Sequence, residues 1–133
     1  MKIYTASKLR HVELWRTVRV EWTDLEFTST WVDLVTTEDA DKLVDPDTHA
    51  IGWRGNVIDV LRSNRLLFYH REGEAHQGTF VEVGVALAAK IPVHVVSNAL
   101  HELNSWIYYP SVFLEDELQP FLQRMSDADN PDG

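Results

Sequence analysis

The stretch Gly78-Thr79-Phe80-Val81-Glu82-Val83-Gly84-Val85-Ala86 carries the densest chemical signal in the chain. Gly78 permits a tight turn or a close approach of backbone to a ligand, and Thr79 is a residue type that caps helices. Glu82 then falls in the first turn of the helix, beside unsatisfied backbone N–H groups and the positive end of the helix dipole. That setting keeps a carboxylate ionised, as a nucleophile must be. The same spacing, Thr79-x-x-Glu82, is equally a capping box, in which the glutamate only accepts a hydrogen bond from the N-cap amide. The spacing alone leaves both readings open.

Other residues have chemistry of their own. Ser7, Lys8 and Arg10 stand at a predicted helix start, where side chains and N–H groups can hold an anion or can simply be solvated. Tyr4, Trp31 and Trp53 can stack on a planar ligand or can pack in the core. His76 can serve as an acid near neutral pH or can be an exposed loop histidine. Asp59 can partner a catalytic group or can face water on a helix. The six histidines, at positions 11, 49, 70, 76, 94 and 101, show no H-x-x-x-H or similar ligand spacing, so no metal is assigned. No Gly-rich phosphate loop and no Ser-His-Asp order is present.

These side chains need a scaffold. Short apolar runs alternate with helix-like stretches, the pattern of a parallel α/β domain. Ile3-Tyr4-Thr5-Ala6 reads as a first strand, residues 8–22 as a helix, and Phe27-Thr28-Ser29-Thr30-Trp31 as a strand. Residues 32–47 are acidic and end on Asp45-Pro46-Asp47, which reads as a breaker after a long loop with a short helix. A helix over residues 53–63 follows. Leu66-Leu67-Phe68-Tyr69 is a continuous apolar run, as expected of a central strand covered on both faces. A helix over 79–90, a strand over 92–96 and a helix over 115–125 complete the series. The sum is a parallel sheet of four or five strands with helices on both faces. Such sheets bind ligands beyond the carboxyl ends of their strands, at the point where strand order reverses. That rule gathers residues 7–11, residues 70–79 and the residues after Trp31 into one cleft.

Composition sets outer limits. The chain has 133 residues, enough for one domain with its own core. The sequence predicts a single domain over 1–126 and a frayed acidic tail over 127–133. Twelve basic against 21 acidic side chains give a net charge of −9. That field repels a long polyanion, so duplex nucleic acid is not an expected partner. With no cysteine, disulfides and Cys-ligated zinc are excluded. The absence of a signal-like or membrane-length apolar run points to a cytoplasmic protein with no membrane association.

The order of Tyr4-Thr5-Ala6-Ser7, Asn56 to Asp59 on a helix, Leu66-Leu67-Phe68-Tyr69, Gly78-Thr79-x-x-Glu82-x-Gly84-x-Ala86 and Pro92-Val93 resembles the nucleoside 2-deoxyribosyltransferase family. That family includes related nucleoside-monophosphate N-glycosidases, and the resemblance covers residues 3–96. It implies a flavodoxin-like (Rossmann-like) three-layer sandwich. It also implies double displacement: Glu82 forms a glycosyl ester at C1′, which a base or water resolves. Cleavage of this kind passes through an oxocarbenium-like state that a nearby carboxylate stabilises, and a proton donor helps the base depart. The chain departs from the family pattern in three places. His76 stands where relatives have an aspartate six residues before the nucleophile, Asn56 stands in place of another, and Asn64 in place of the strand-entry aspartate.

The expected catalytic set is therefore Glu82, Asp59 and His76. Tyr4, Ser7, Lys8, Arg10, Trp31, Asn56, Gly78 and Thr79 are expected to bind the substrate, a nucleoside or its 5′-monophosphate, and no cofactor is required. Relatives assemble, so a homodimer or higher homo-oligomer is expected, with Tyr108, Tyr109 and Phe113 as aromatic anchors. The rival expectation is a non-catalytic nucleotide-binding or sensor module that kept the fold and lost the carboxylates.

Overall fold

The computed structural model describes residues 1–34 and 45–130. Five strands form one sheet: β1 (Lys2–Ala6), β2 (Glu26–Phe27), β3 (Arg65–His70), β4 (Val93–Ser97) and β5 (Val112–Glu115). Their order is β2-β1-β3-β4-β5 and every pairing is parallel. The helices are α1 (Val12–Glu21), α2 (Trp31–Leu34), α3 (Pro46–Leu61), α4 (Gly78–Ala88) and α5 (Leu118–Asp129). This is the flavodoxin-like arrangement expected from the sequence, with the reversal of strand order between β1 and β3.

The core follows from strands covered on both sides. Leu66, Leu67 and Phe68 of β3 and Val93, Val95 and Val96 of β4 are fully buried, whichever face they point to. Tyr69 of β3 meets the Trp15 ring of α1 edge-on at 5.4 Å, while Phe68, one residue earlier, stacks 6.0 Å from Phe80 of α4. His94, in register with Leu67, packs 4.7 Å from the Phe121 ring of α5. Strand alternation thus places α1 and α5 on one face and α4 on the other. Helix α3 packs on α4.

Several expected boundaries move, each for a physical reason. The second strand is two residues long rather than five, and Trp31 begins α2 instead of ending a strand. The Asp59 carboxylate takes both the amide and the hydroxyl of Thr30, at 3.0 and 2.5 Å, which turns the chain out of the sheet. Asp45-Pro46 starts a helix instead of breaking one. Asp45 is the N-cap, accepting from Thr48 N at 3.0 Å and Thr48 Oγ1 at 2.8 Å, and Pro46 opens the first turn. Most of the expected loop over 32–47 lies outside the described residues. Helix α5 carries through Asp129, and Met1 N and Asp24 contact Asp129 and Ser126, so residues 127–129 are helical rather than frayed. Among the described residues no helix is long and apolar enough to cross a membrane.

Candidate active site

Glu82 sits on the buried side of α4 with 7% of its surface exposed. The helix begins at Gly78 with Gln77 as its N-cap, so Glu82 is the fifth helical residue and lies beyond the first turn. Thr79 does not cap; its hydroxyl donates to Ser7 O at 3.3 Å and ties α4 to the end of β1. The capping-box reading therefore fails. Instead the Tyr4 hydroxyl, from β1, donates to Glu82 Oε2. Tyr4 is fully buried, so it positions the carboxylate rather than offering a stacking platform. The expectation that the helix terminus keeps Glu82 ionised is also corrected: burial pushes its carboxyl up to about 8. The hydrogen bond from the Tyr4 hydroxyl favours the ionised form and works against that rise.

Gly78 is needed for a steric reason. A Cβ there would meet the Trp53 ring at 3.1 Å, closer than ordinary packing allows. Trp53, from α3, thereby closes over the start of α4. Asn56, one turn further along α3, is half-buried.

The loop after β3 is more organised than its polar sequence implies. Gly73 makes the turn at φ +81°, and Glu74 is buried within it. Its Oε2 accepts from Arg10 Nε at 2.8 Å and lies 2.6 Å from His11 Nε2, while Oε1 accepts from Arg71 N at 2.8 Å. These donors hold the Glu74 carboxyl below its ordinary value although burial opposes them. Arg10 is thus paired, with its guanidinium still largely open to solvent. Ser7 Oγ accepts from Trp15 Nε1 at 2.8 Å and donates to Lys8 O at 3.0 Å. Lys8 and Arg10 precede α1 in a short 3₁₀ turn, so the expected long-helix start at residue 8 is replaced by one at Val12.

His76 is not a solvated loop residue. Its Nε2 lies 2.8 Å from His70 Nδ1, its ring packs against Phe68 and Phe80, and its Nδ1 is buried without a partner. Burial first, then the neighbouring His70, lowers its pKa to about 4. An imidazole that stays neutral at pH 7 cannot deliver a proton as imidazolium there, which removes the expected acid role near neutrality. Asp59 is neither solvated nor free for chemistry. It is buried, holds Thr30, and lies 3.5 Å from Arg62 Nε. Trp31 is buried with Nε1 donating to Thr5 O at 3.0 Å, a core role rather than a stacking surface. The structure thus joins Tyr4, Ser7, Thr79 and Glu82 at the β1–α4 contact. It gathers Arg10 and His76 around the neighbouring β3 loop, and commits Asp59 and Trp31 to scaffolding. Two surface cavities, of about 350 and 290 Å³, are lined by other residues; the second lies along Phe80, Val83, Gly84 and Trp106 on α4 and its neighbours.

No family model matches this sequence, and a search of curated proteins finds no match. Solved structures do share its fold. A 2-deoxyribosyltransferase from Bacillus psychrosaccharolyticus aligns with a TM-score of 0.67 and 14% identity, over 96% of this chain and 91% of that one. The CMP N-glycosidase BcmB of Clostridium botulinum aligns with a TM-score of 0.56 and 13% identity, over 94% and 98%. A conserved protein from Enterococcus faecalis V583 gives 0.53 and 16%, over 96% and 87%. The class is therefore a flavodoxin-like α/β fold, shared over nearly its whole length with these proteins.

Proposed function

We propose that this protein cleaves or exchanges the N-glycosidic bond of a (deoxy)nucleoside or its 5′-monophosphate, with Glu82 as the nucleophile. The observation that carries the reading is the Tyr4–Glu82 pair. A buried carboxyl at the switch-point side of the sheet has one oxygen engaged by a buried hydroxyl, which leaves the other oxygen for attack. The 2-deoxyribosyltransferase and the CMP N-glycosidase that share the fold support the substrate class.

In the reaction, Glu82 gives up its proton and its carboxylate attacks C1′. The C1′–N bond breaks with its electron pair passing to the base, which takes up a proton. Water or a second base then displaces Glu82 from C1′, and the proton the acceptor sheds returns to the Glu82 carboxylate. Burial raises the energy of the ionised Glu82, and the positive charge developing at C1′ relieves it, so the carboxylate is stabilised most in the transition state. Lys8 and the open side of Arg10 are the proposed contacts for a 5′-phosphate. Assembly through the exposed Tyr108, Tyr109 and Phe113, beside or on edge strand β5, completes the proposal.

A second reading, a nucleotide-binding module without turnover, is favoured by one observation: Asp59 is taken up by Thr30 and Arg62, and the buried His76 is held against His70. Incubation with a panel of nucleosides and monophosphates, with and without a free acceptor base, separates the two. Chromatographic detection of base release or exchange supports the enzyme. Binding of the same compounds without release supports the module.

A further inference from the structure

The most unusual cluster outside the Tyr4–Glu82 pair lies where β3 enters its loop. His70 is fully buried, and its Nε2 lies 2.9 Å from Glu102 Oε1. A carboxylate can only accept, so in the neutral ring Nε2 carries the hydrogen and Nδ1 presents its lone pair. That lone pair points at His76 Nε2, 2.8 Å away. Glu74 supplies a carboxylate oxygen, and one ligand atom from each of His70, Glu74 and His76 lies within 4.8 Å of the others.

We propose that His70, Glu74 and His76 bind a divalent transition-metal ion of the zinc class. Two imidazoles and one carboxylate are a borderline-soft donor set that suits Zn²⁺, Co²⁺ or Ni²⁺ better than Mg²⁺ or Ca²⁺, which prefer all-oxygen cages. Tetrahedral coordination with Zn–N near 2.0–2.1 Å separates two ligating nitrogens by roughly 3.3 Å, so the rings need to part by only about half an ångström. Glu74 has roughly four lone-pair sites. Arg10, through Nε and Nη2, and His11 fill Oε2, Arg71 N takes one site on Oε1, and Oε1 keeps the other. Glu102 plays the part of an outer carboxylate that fixes tautomer and ring orientation of a ligating histidine. It also accepts from Gly73 N at 2.9 Å, which anchors it to the same turn.

Three protein ligands leave a fourth position for water or another ligand. The ion would fasten the end of β3 to the loop that leads into α4. The ligands are spaced H-x-x-x-E-x-H across a strand end and a turn, not along one helix face, so a search for helical ligand spacing passes over them. This inference concerns metal binding alone and is independent of whether Glu82 is a nucleophile.

The experiment uses untagged full-length protein stripped with a chelator. Zn²⁺ is titrated by calorimetry and Co²⁺ by visible absorption, and thermal unfolding is followed with and without Zn²⁺. The expected result is one equivalent bound, ligand-field bands with Co²⁺, and a higher Tm with Zn²⁺. His76→Asn and Glu74→Gln, both in the loop rather than the core, should weaken binding by at least about tenfold, and Glu102→Gln by about 10–100-fold. Circular dichroism of each variant confirms that the fold is retained. A His49→Ala/His101→Ala variant, which removes two exposed histidines, should bind as wild type. Failure to saturate at one equivalent overturns the proposal. So does binding unchanged by His76→Asn and Glu74→Gln, or binding lost in the His49/His101 variant.

Discussion

Replacing Glu82 by glutamine removes the one carboxyl among the described residues that burial holds well above its ordinary range, and the consequence for stability has a definite sign. The folded-state value of about 8 exceeds the 4.5 of an unperturbed glutamate. As pH rises, the unfolded chain releases this proton first, so the folded state binds more protons throughout that window. The contribution is fully present below 4.5 and is lost as pH climbs through about 8. Each pH unit within the window is worth about 1.4 kcal/mol, so the full effect is on the order of 5 kcal/mol. The Tyr4 hydroxyl stabilises the ionised form and sets this as a ceiling. Urea unfolding of wild type and Glu82→Gln at about pH 5.5 and about pH 8 isolates the effect, because histidines and other titrating groups are common to both proteins. The variant should gain on wild type by about 3 kcal/mol between the two conditions. Parallel stability curves would refute the reasoning, since they would mean that the Glu82 carboxyl is as well solvated in the folded chain as in the unfolded one.

If attack requires ionised Glu82, kcat/KM should rise with pH along a limb centred near 8, and a profile flat from pH 6 to 9 would contradict this. Asp59→Ala leaves the Thr30 amide and hydroxyl without their acceptor and should cost about 1–3 kcal/mol in urea unfolding, with kcat little changed. If Lys8 and Arg10 contact a 5′-phosphate, monophosphates should bind more tightly than nucleosides by calorimetry, and added salt should narrow the gap. Equal affinities at low salt would remove that assignment.

The parts of this fold legible in the sequence are those where local pattern and tertiary environment agree. Leu66-Leu67-Phe68-Tyr69 is read as a central strand because both its faces are covered, which leaves no alternation to find. The Gly78–Ala86 stretch is read as a helix carrying a special glutamate because its turn residue, hydroxyl and apolar positions all point the same way. Misreadings arise where a distant residue decides. Phe27 to Trp31 has strand-forming residues, yet Asp59, some thirty positions away, captures Thr30 and ends β2 early. Thr79-x-x-Glu82 has capping-box spacing, yet the helix starts two residues earlier than a Thr79 cap requires, and both side chains turn to β1 and the segment after it. Strand β5 carries little signal in the sequence, because Val112 to Glu115 is short and its edge position leaves Phe113 and Leu114 exposed. The His70–Glu74–His76 cluster depends on a turn at Gly73 and on Glu102 from another loop, neither visible as a periodic pattern.

The identity of the nucleophile is settled by trapping the covalent intermediate. Wild-type protein is mixed with whichever nucleoside or monophosphate releases base, quenched in acid within the first turnover, digested, and mapped by mass spectrometry. A pentosyl mass is expected on the peptide containing Glu82, absent without substrate, with no base release by Glu82→Gln. Base release by Glu82→Gln at the wild-type rate, or a sugar adduct mapped to another residue, would contradict it.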